Sequence, residues 1–418
     1  MNDNVTSQQK LLPRLFREEY TKMTAVLYRH FGLKHIEIAE DIVSETFLKA
    51  TETWSVQGIP KNPAAWLYVV AKNKAKDYLI RHTIFETRVK GAINLDELQF
   101  ESDFDFTQQA IDDSQLAMIF AVCNPSNSIA SQICLALQIL CGFSVEAIAS
   151  AFLTKTETIK KRLLRARKNL RQDNFQIKFL SEEAIQSRLD VVLKTLYLLF
   201  NEGYFSTSND HLIRQDLCSE AIRLMLVLIE SPSTNTPTVN ALMALMCFQS
   251  SRLEARANNN GEIILYEQQD KDQWSQELIE KGNHYLIHAF SGAVHWQTKY
   301  HLEAAIAYWH TTPTNNDKWE HILQLYNQLI LIEYSPITAL NRTFAFAKVN
   351  GNKQAIKETE KLQLTHINHY HALLGYLYAD TDLNKSIAHY SQAISLTKSA
   401  SEKKTLQKEI ERLNKTQY

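Results

Sequence analysis

The chain of 418 residues has few residues that interrupt helices. It contains ten glycines and eight prolines, and apolar residues recur every three or four positions almost throughout. Alternating strand patterns are nearly absent, and residues 262–266 are the one short candidate. The sequence therefore predicts an all-α protein.

Long apolar runs and an excess of charge are also missing. No apolar stretch is long enough to cross a membrane, and the N-terminus lacks the basic-then-apolar layout of a signal peptide. We therefore expect a cytoplasmic protein with no membrane partner. The net charge is −1 at pH 7, so affinity for nucleic acid would have to come from charges segregated along the chain.

Cysteine is scarce, and no motif for catalysis or cofactor binding is present. Five cysteines occur without a CxxC pair, and Cys123, Cys134 and Cys141 have no histidine nearby, which favours buried thiols over zinc ligands. Residues 201–204 (NEGY) contain a glutamate that could suggest a catalytic carboxylate. A helix that ends with Gly203 in the left-handed conformation explains this segment more simply. We expect no metal, no cofactor and no enzymatic activity.

What the chain does contain is a strongly basic segment. Residues 154–173 carry a net charge of +6, and a short apolar helix pattern precedes them from Ser144. The expected buried face of the basic helix consists of Ile159, Leu163, Ala166 and Leu170. A basic helix supported by a small apolar helix is suited to the major groove of DNA, whereas a merely solvated basic face is the simpler alternative. Thr156 is positioned to cap this helix.

The pattern along the chain predicts four segments. Residues 8–90 and 116–175 are helical blocks, and residues 91–115, with seven acids and no base, form an exposed linker between them. Residues 185–418 consist of long amphipathic helices with aromatic anchors. Two of their helix pairs are similar to tetratricopeptide (TPR) repeats, which stack into a superhelix; the residues that carry this likeness include Leu374, Gly375, Tyr378, Tyr390 and Ala393 near the C-terminus, and Trp319, Tyr326 and Leu329 before Pro336.

Several segments resemble the sigma-70 family of RNA polymerase sigma factors, specifically its extracytoplasmic-function (ECF) group. Residues 39–50 (AEDIVSETFLKA), 63–67 and 71–79 resemble region 2, and residues 147–167 resemble region 4. Within residues 147–167, the sequences AFL (151–153) and RLLRA (162–166) resemble those of a subgroup with a C-terminal TPR-like (DUF6596-type) extension. That extension is matched by residues 198–204, 214–224 and 335–342.

The resemblance implies an alternative sigma factor that binds core RNA polymerase, through its largest and second-largest subunits, and directs recognition and melting of promoter DNA. It also implies a C-terminal domain that regulates the protein in cis, and it suggests a small YCII-related (DGPF) protein as a companion. The acidic linker would thread polymerase channels that normally hold nucleic acid. Simple disorder with a solubilising charge is the alternative for that segment.

The resemblance also implies three sets of site residues. Contacts to core polymerase fall on Asp41, Glu45, Phe47 and Leu48. Contacts to the minus-ten element fall on Gly58, Asn62, Asn73, Lys74, Asp77 and Arg81. Contacts to the minus-thirty-five element fall on Thr156, Thr158, Lys160, Lys161, Arg162, Arg165 and Lys168 of the helix-turn-helix.

Two other functions fit the same residues. One is a helix-turn-helix regulator that binds duplex DNA without core polymerase and uses the repeat domain as a sensor. The other is a repeat scaffold that binds a partner protein while the N-terminal blocks are vestigial. Binding to core polymerase distinguishes a sigma factor from both of these alternatives.

Overall fold

The computed structural model describes residues 2–90, 104–152, 154–173, 177, 180–204, 214–256, 264, 266–291, 297–312, 317–397 and 399–415. Within these residues every regular element is helical, so the predicted all-α class is confirmed. None of the helices described there is long and apolar enough to cross a bilayer. Most of residues 262–266, the strand candidate, lie outside the description, and Tyr266 begins the short 3-10 helix Tyr266–Gln268.

The chain divides into an N-terminal unit, Met1–Leu196, and a C-terminal unit, Tyr197–Tyr418. The helices of the N-terminal unit are α1 (Asn2–Phe31), α2 (Ile36–Gln57), α3 (Pro63–Lys90), α4 (Gln108–Val122), α5 (Ile129–Leu135), α6 (Val145–Ala151), α7 (Thr156–Gln172) and α8 (Glu182–Tyr204), the last of which crosses the division. A π-helical turn, Ala136–Leu140, continues α5.

Helix α1 is the central element of the N-terminal unit, because it packs against both α2 and α4. Its buried residues include Leu27 and Tyr28, and Ile36 and Val43 of α2 are buried as well. Apolar burial of this kind is the main favourable contribution to folding. The packing of α1 against α2 and α4 joins the two helical blocks between which the sequence predicts a linker.

Helix α4 begins inside the segment that was predicted to be an exposed linker. Thr107 caps it by accepting a hydrogen bond from the amide of Ala110. Phe104 is buried, with its ring centroid 4.1 Å from that of His30. An aromatic anchor and a helix cap therefore hold the stretch from Phe104 in place, and its end is helical rather than an open linker. Residues 91–103 of the predicted linker lie outside the described residues.

The first part of α8 belongs to the N-terminal unit. Arg188 pairs with Asp173 at 3.1 Å, and the Thr195 hydroxyl donates to Oε1 of Gln132 at 2.8 Å. The prediction for Gly203 is wrong, because this glycine lies within α8 and lacks a positive φ. A Cβ there would stand 2.7 Å from the carbonyl oxygen of Arg214, so glycine is needed for close approach to the next helix.

The C-terminal unit consists of helices that pack on their neighbours in the chain. They are α9 (Gln215–Glu230), α10 (Pro237–Ser250), α11 (Gln276–Ala289), α12 (Lys299–Thr311), α13 (Lys318–Ile332), α14 (Pro336–Asn350), α15 (Asn352–Lys361), α16 (Asn368–Tyr378), α17 (Leu383–Leu396) and α18 (Ala400–Lys415). Gly375 of α16 lies against the ring of Tyr390, where a Cβ would come within 2.8 Å of ring carbon. This close contact of α16 with α17 involves two of the residues that carry the repeat-like pattern.

Candidate nucleic-acid interface

The two helices of the basic segment form as the sequence predicts. Helix α6 begins after Ser144, whose hydroxyl accepts a hydrogen bond from the amide of Ala147 at 3.1 Å. Helix α6 ends at Ala151 and α7 begins at Thr156. The prediction that Thr156 caps α7 is wrong: Lys155 is the N-cap residue, its side chain makes no capping bond, and Thr156 is the first helical residue.

Helix α7 has one buried apolar face. Ile159, Leu163, Ala166 and Leu170 are all buried, which confirms the predicted inner face. The helix packs against α5 and α6. This packing fixes the rotation of α7 about its axis, and therefore decides which of its cations face outward.

One set of cations points into solvent. Lys160, Lys161, Arg165 and Lys168 are exposed, as is Thr158, while Arg162 is half-buried and directs Nη1 towards the sulfur of Cys134 at 3.7 Å. Lys160 contacts Glu157 at 3.0 Å, and this hydrogen bond raises the pKa of the lysine. Thus most residues predicted to contact the minus-thirty-five element share one solvent-facing side of α7.

A second set of cations on α7 is bound to the beginning of α2. Arg167 donates from Nη1 and Nη2 to the two carboxylate oxygens of Glu40, at 3.1 and 2.6 Å. It also donates to Oε1 of Gln138, in the π-helical turn, at 3.0 Å. Arg171 pairs with Glu37, one turn before Glu40. We call this group the Arg167–Glu40 contact.

The Arg167–Glu40 contact is largely shielded from water. The side chain of Arg167 is 11% exposed and that of Glu40 is 22% exposed. The hydroxyl of Tyr28 donates to the same carboxylate at 2.9 Å. Burial by itself lowers the pKa of Arg167, but the hydrogen bond and charge of Glu40 outweigh it, so the pKa is raised overall. Burial, reinforced by Glu40, raises the pKa of Tyr28 well above its usual value.

Residues predicted for two different partners line one cleft between α2 and α3. The cleft has a volume of about 430 Å³, and Asp41 and Glu45 line it together with Lys74 and Arg81. Lys74 bridges the two helices by an ion pair with Glu45 at 2.6 Å. The predicted polymerase and minus-ten residues are therefore neighbours, and Lys74 is partly neutralised in this conformation.

The apolar pair predicted for polymerase docking is divided between the interior and the surface. Phe47 is 7% exposed and packs edge-on against Phe16, with ring centroids 5.0 Å apart. Leu48 is 59% exposed. Of these two residues, Leu48 is therefore the one that α2 presents to solvent, and Phe47 packs in the interior.

The loop between α2 and α3 depends on Gly58 and Asn62. Gly58 ends α2 with a φ of +84°, a backbone conformation that favours glycine. Space is not the reason for glycine here, because a Cβ would have no atom within 4 Å. The side-chain oxygen of Asn62 accepts from the amide of Ala65 at 3.0 Å and so starts α3. Asn73, Asp77 and Arg81 are exposed along α3, and Nε of Arg81 donates to the backbone carbonyl of Asp77 at 3.2 Å.

Sequence reasoning did not identify Tyr28, Glu37, Glu40 or Gln138 as part of this interface. Arg167 and Glu40 are 127 residues apart, and no local pattern pairs residues at that distance. The only available signal was that Glu40 lies one residue before the site residue Asp41.

The part of the chain that the structure describes contains no group of three or more histidine, cysteine, aspartate or glutamate side chains arranged for a metal ion. The interface described above is made of cations, carboxylates and amides. Its chemistry is that of charge pairing with a polyanion or a protein surface.

Comparison with known proteins adds four findings. The family model for sigma-70 region 2 matches residues 15–83, and a family of unknown function, DUF6596, matches residues 188–290. An uncharacterized protein of Rhizobium meliloti (strain 1021) is 31% identical over 402 residues, which covers 93% of this chain and 92% of the relative. No solved structure matches the chain.

The region 2 match begins within α1, includes all of α2 and ends within α3. It therefore contains the cleft between α2 and α3 and the exposed Leu48. Region 2 is the part of sigma-70 proteins that engages core RNA polymerase and promoter DNA. Members of the family act in promoter recognition at the start of transcription. The chain belongs to the sigma-70 family of sigma factors, with a large C-terminal extension.

Proposed function

We propose that this protein is an alternative sigma factor of the ECF group, which acts in the cytoplasm and directs core RNA polymerase to its own set of promoters. The observation that carries the proposal is the division of α7 into a buried apolar face and an exposed face with Lys160, Lys161, Arg165 and Lys168. A helix-turn-helix with this division offers its cations to phosphates and base edges of the minus-thirty-five element.

Region 2 supplies the other two contacts. Leu48, with Asp41 and Glu45 beside it, forms an apolar and acidic surface for a basic coiled coil of the polymerase. The loop at Gly58 and the exposed side of α3 contact the minus-ten element. Melting there requires an unstacked base, which costs a few kcal/mol and is repaid by contacts to the displaced strand.

The Arg167–Glu40 contact defines a closed form of the N-terminal unit. Region 2 and region 4 bind two separate promoter elements at the same time, so initiation requires α7 to leave α2. We propose that the C-terminal domain, a TPR-like array, regulates this step in cis. A small YCII-related (DGPF) protein remains a candidate partner for that domain.

Run-off transcription with purified core polymerase tests the proposed activity. We expect the full chain to bind core and to start transcription from a cognate promoter found by selection from a genomic library. The matched control omits the chain while the same core and template are kept. Tight, sequence-specific binding to duplex DNA together with no binding to core would instead identify a core-independent regulator.

Truncation tests regulation in cis. The chain must end after Tyr204, because cutting before α8 would remove the pair of Arg188 with Asp173 and the bond of Thr195 to Gln132. We expect the truncated chain to remain helical by circular dichroism and to differ from the full chain at least about threefold in promoter activity, equivalent to roughly 0.7 kcal/mol. Equal activity of the two chains contradicts a role in cis.

A further inference from the structure

In the C-terminal unit, the ring of Tyr266 is surrounded by cationic side chains. The Tyr266 hydroxyl donates to the carbonyl of His310 at 2.7 Å and accepts from Nζ of Lys318, in the first turn of α13, at 3.2 Å. The guanidinium carbon of Arg252, just after α10, lies 4.8 Å from the centroid of the Tyr266 ring. Arg252 and Lys318 thus both contact one aromatic side chain.

The partners of these two cations are neutral. Nε of Arg252 donates to Oε1 of Gln269 at 3.2 Å, and its guanidinium also lies over Trp274. Nζ of Lys318 has the carbonyl of Thr312, at 3.3 Å, as its second acceptor. Across the described residues, neither cation has a carboxylate partner. Because a guanidinium carries five N–H donors and an ammonium three, both keep donors available.

The surroundings make this arrangement costly. Lys318 is only 4% exposed, and burial, together with the charges of Lys271 and Arg252, lowers its pKa to about 8. Burial also lowers the pKa of Arg252, and the charge of Arg256 adds to that effect. Buried charges in proteins are normally paired, since an unpaired one loses its hydration without compensation.

Other lysines of this unit follow the normal pattern. Lys299 lies over the ring of Tyr197 but pairs with Glu333 at 2.9 Å. Lys348 lies over the ring of Phe344 but pairs with Glu267 at 2.5 Å. Arg252 and Lys318 differ from these lysines in lacking an anion, which indicates that an external anion completes the cluster.

His310 adds a neutral polar atom to the same cluster. Its ring lies edge-on to Tyr266, with centroids 4.8 Å apart, and its Nδ1 atom is buried without a hydrogen-bond partner. Burial, with the charges of Arg252 and Lys318, lowers the pKa of His310 to about 3, so the imidazole is neutral at pH 7. A neutral imidazole can donate one hydrogen bond to an anion without adding a further positive charge.

A cavity adjoins the cluster and shares Tyr266 as a wall. Its volume is about 600 Å³, within the range of small-molecule sites, and Phe344, Tyr376 and Tyr390 also line it. Three carboxylates line it: Glu267 and Glu409 pair with Lys348 and Arg412, and Asp380 is the third. The cavity therefore offers aromatic surface that includes Tyr266, the side chain that Arg252 and Lys318 contact.

We propose that Arg252 and Lys318, together with His310, bind the anionic head of a small molecule, a carboxylate or a phosphate, whose aromatic or apolar body lies in the neighbouring cavity. The bound anion supplies the countercharge that the two cations lack. This site goes beyond the proposed role in transcription, and it is testable without polymerase or DNA.

Calorimetric titration of the full chain tests the site with four probes: inorganic phosphate, phenyl phosphate, 3-phenylpropanoate and the neutral 3-phenylpropanol. We expect phenyl phosphate or 3-phenylpropanoate to bind, and the comparison of the two distinguishes a phosphate ligand from a carboxylate. Inorganic phosphate should bind more weakly because it lacks the ring, and the neutral alcohol should not bind because it lacks the charge.

Substitutions locate the binding. Arg252→Gln and Lys318→Gln should each weaken binding of the better probe about tenfold or more, as expected for loss of a charge-assisted hydrogen bond. Lys299→Gln is the matched control, because it removes a lysine that lies on aromatic rings but has a carboxylate partner, and it should leave binding unchanged. Circular dichroism checks that each variant is folded. If Arg252→Gln is unfolded, Lys318→Gln alone tests the site. The proposal is overturned if neither aromatic acid binds the wild-type chain at millimolar concentration, or if the cluster variants bind as tightly as Lys299→Gln.

Discussion

Replacing Arg167 by methionine is expected to lower the free energy of unfolding of the N-terminal unit by about 3 kcal/mol. The substitution keeps most of the apolar stem but leaves the carboxylate of Glu40 shielded and without its bidentate partner. Breaking a shielded ion pair on one side costs more than the pair itself contributes. Hydrogen exchange of α2 and α7 across a urea series measures the loss locally.

Two comparisons make this result specific. Lys160→Met removes a cation from the same helix, but its pair with Glu157 is exposed, so we expect little change. Glu40→Met combined with Arg167→Met should cost less than the sum of the single changes, because the double variant leaves no unpaired charge. If hydrogen exchange of α2 and α7 is the same in Arg167→Met as in the wild-type chain, the contact is not formed in solution.

Reversing charge on the exposed side of α7 is expected to remove nearly all promoter-specific transcription. The double variant Lys161→Glu, Arg165→Glu places two carboxylates where the proposal puts phosphates and base edges. Each lost contact costs about 1–3 kcal/mol, so a loss of about 100-fold or more in run-off product is expected. Neither side chain is buried, so the fold should be retained.

The matched control is Lys353→Glu, Lys357→Glu, which reverses two exposed charges four residues apart on α15. It changes the net charge of the chain equally and should leave run-off product unchanged. Binding to core polymerase should be retained in both double variants, because α7 is not the proposed docking surface. Full activity of the α7 variant would refute promoter contact by this helix.

The local features of the interface could be read from the sequence because they depend on residues close together in the chain. The period of Ile159, Leu163, Ala166 and Leu170 determines which side of α7 is buried, and that face was predicted correctly. Gly58 could likewise be placed in a loop before the basic face of α3. The resemblance to the family likewise rests on short local motifs, among them residues 39–50 and 147–167.

Features that depend on distant residues were not predictable in this way. The ion pair of Arg167 with Glu40 exists only after α1, α2 and α7 pack together, so Arg167 was counted merely as one more cation. Phe47 was expected at the polymerase surface, but its position is set by contact with Phe16 on another helix. The acids at Asp112 and Asp113 suggested an open linker, whereas a cap at Thr107 places them on α4.

The Arg167–Glu40 contact also bears on how the protein responds to ionic strength. A DNA-binding cation contributes to affinity mainly by displacing condensed counterions, and each neutralised phosphate adds about 0.9 to the logarithmic salt dependence. Arg167 and Arg171 are occupied by Glu40 and Glu37 in the closed form. The opening that we propose would make two further cations available to phosphates and would steepen that dependence by about 2. Under this proposal the same carboxylates act as an internal substitute for DNA phosphate, and promoter and α2 compete for one pair of arginines.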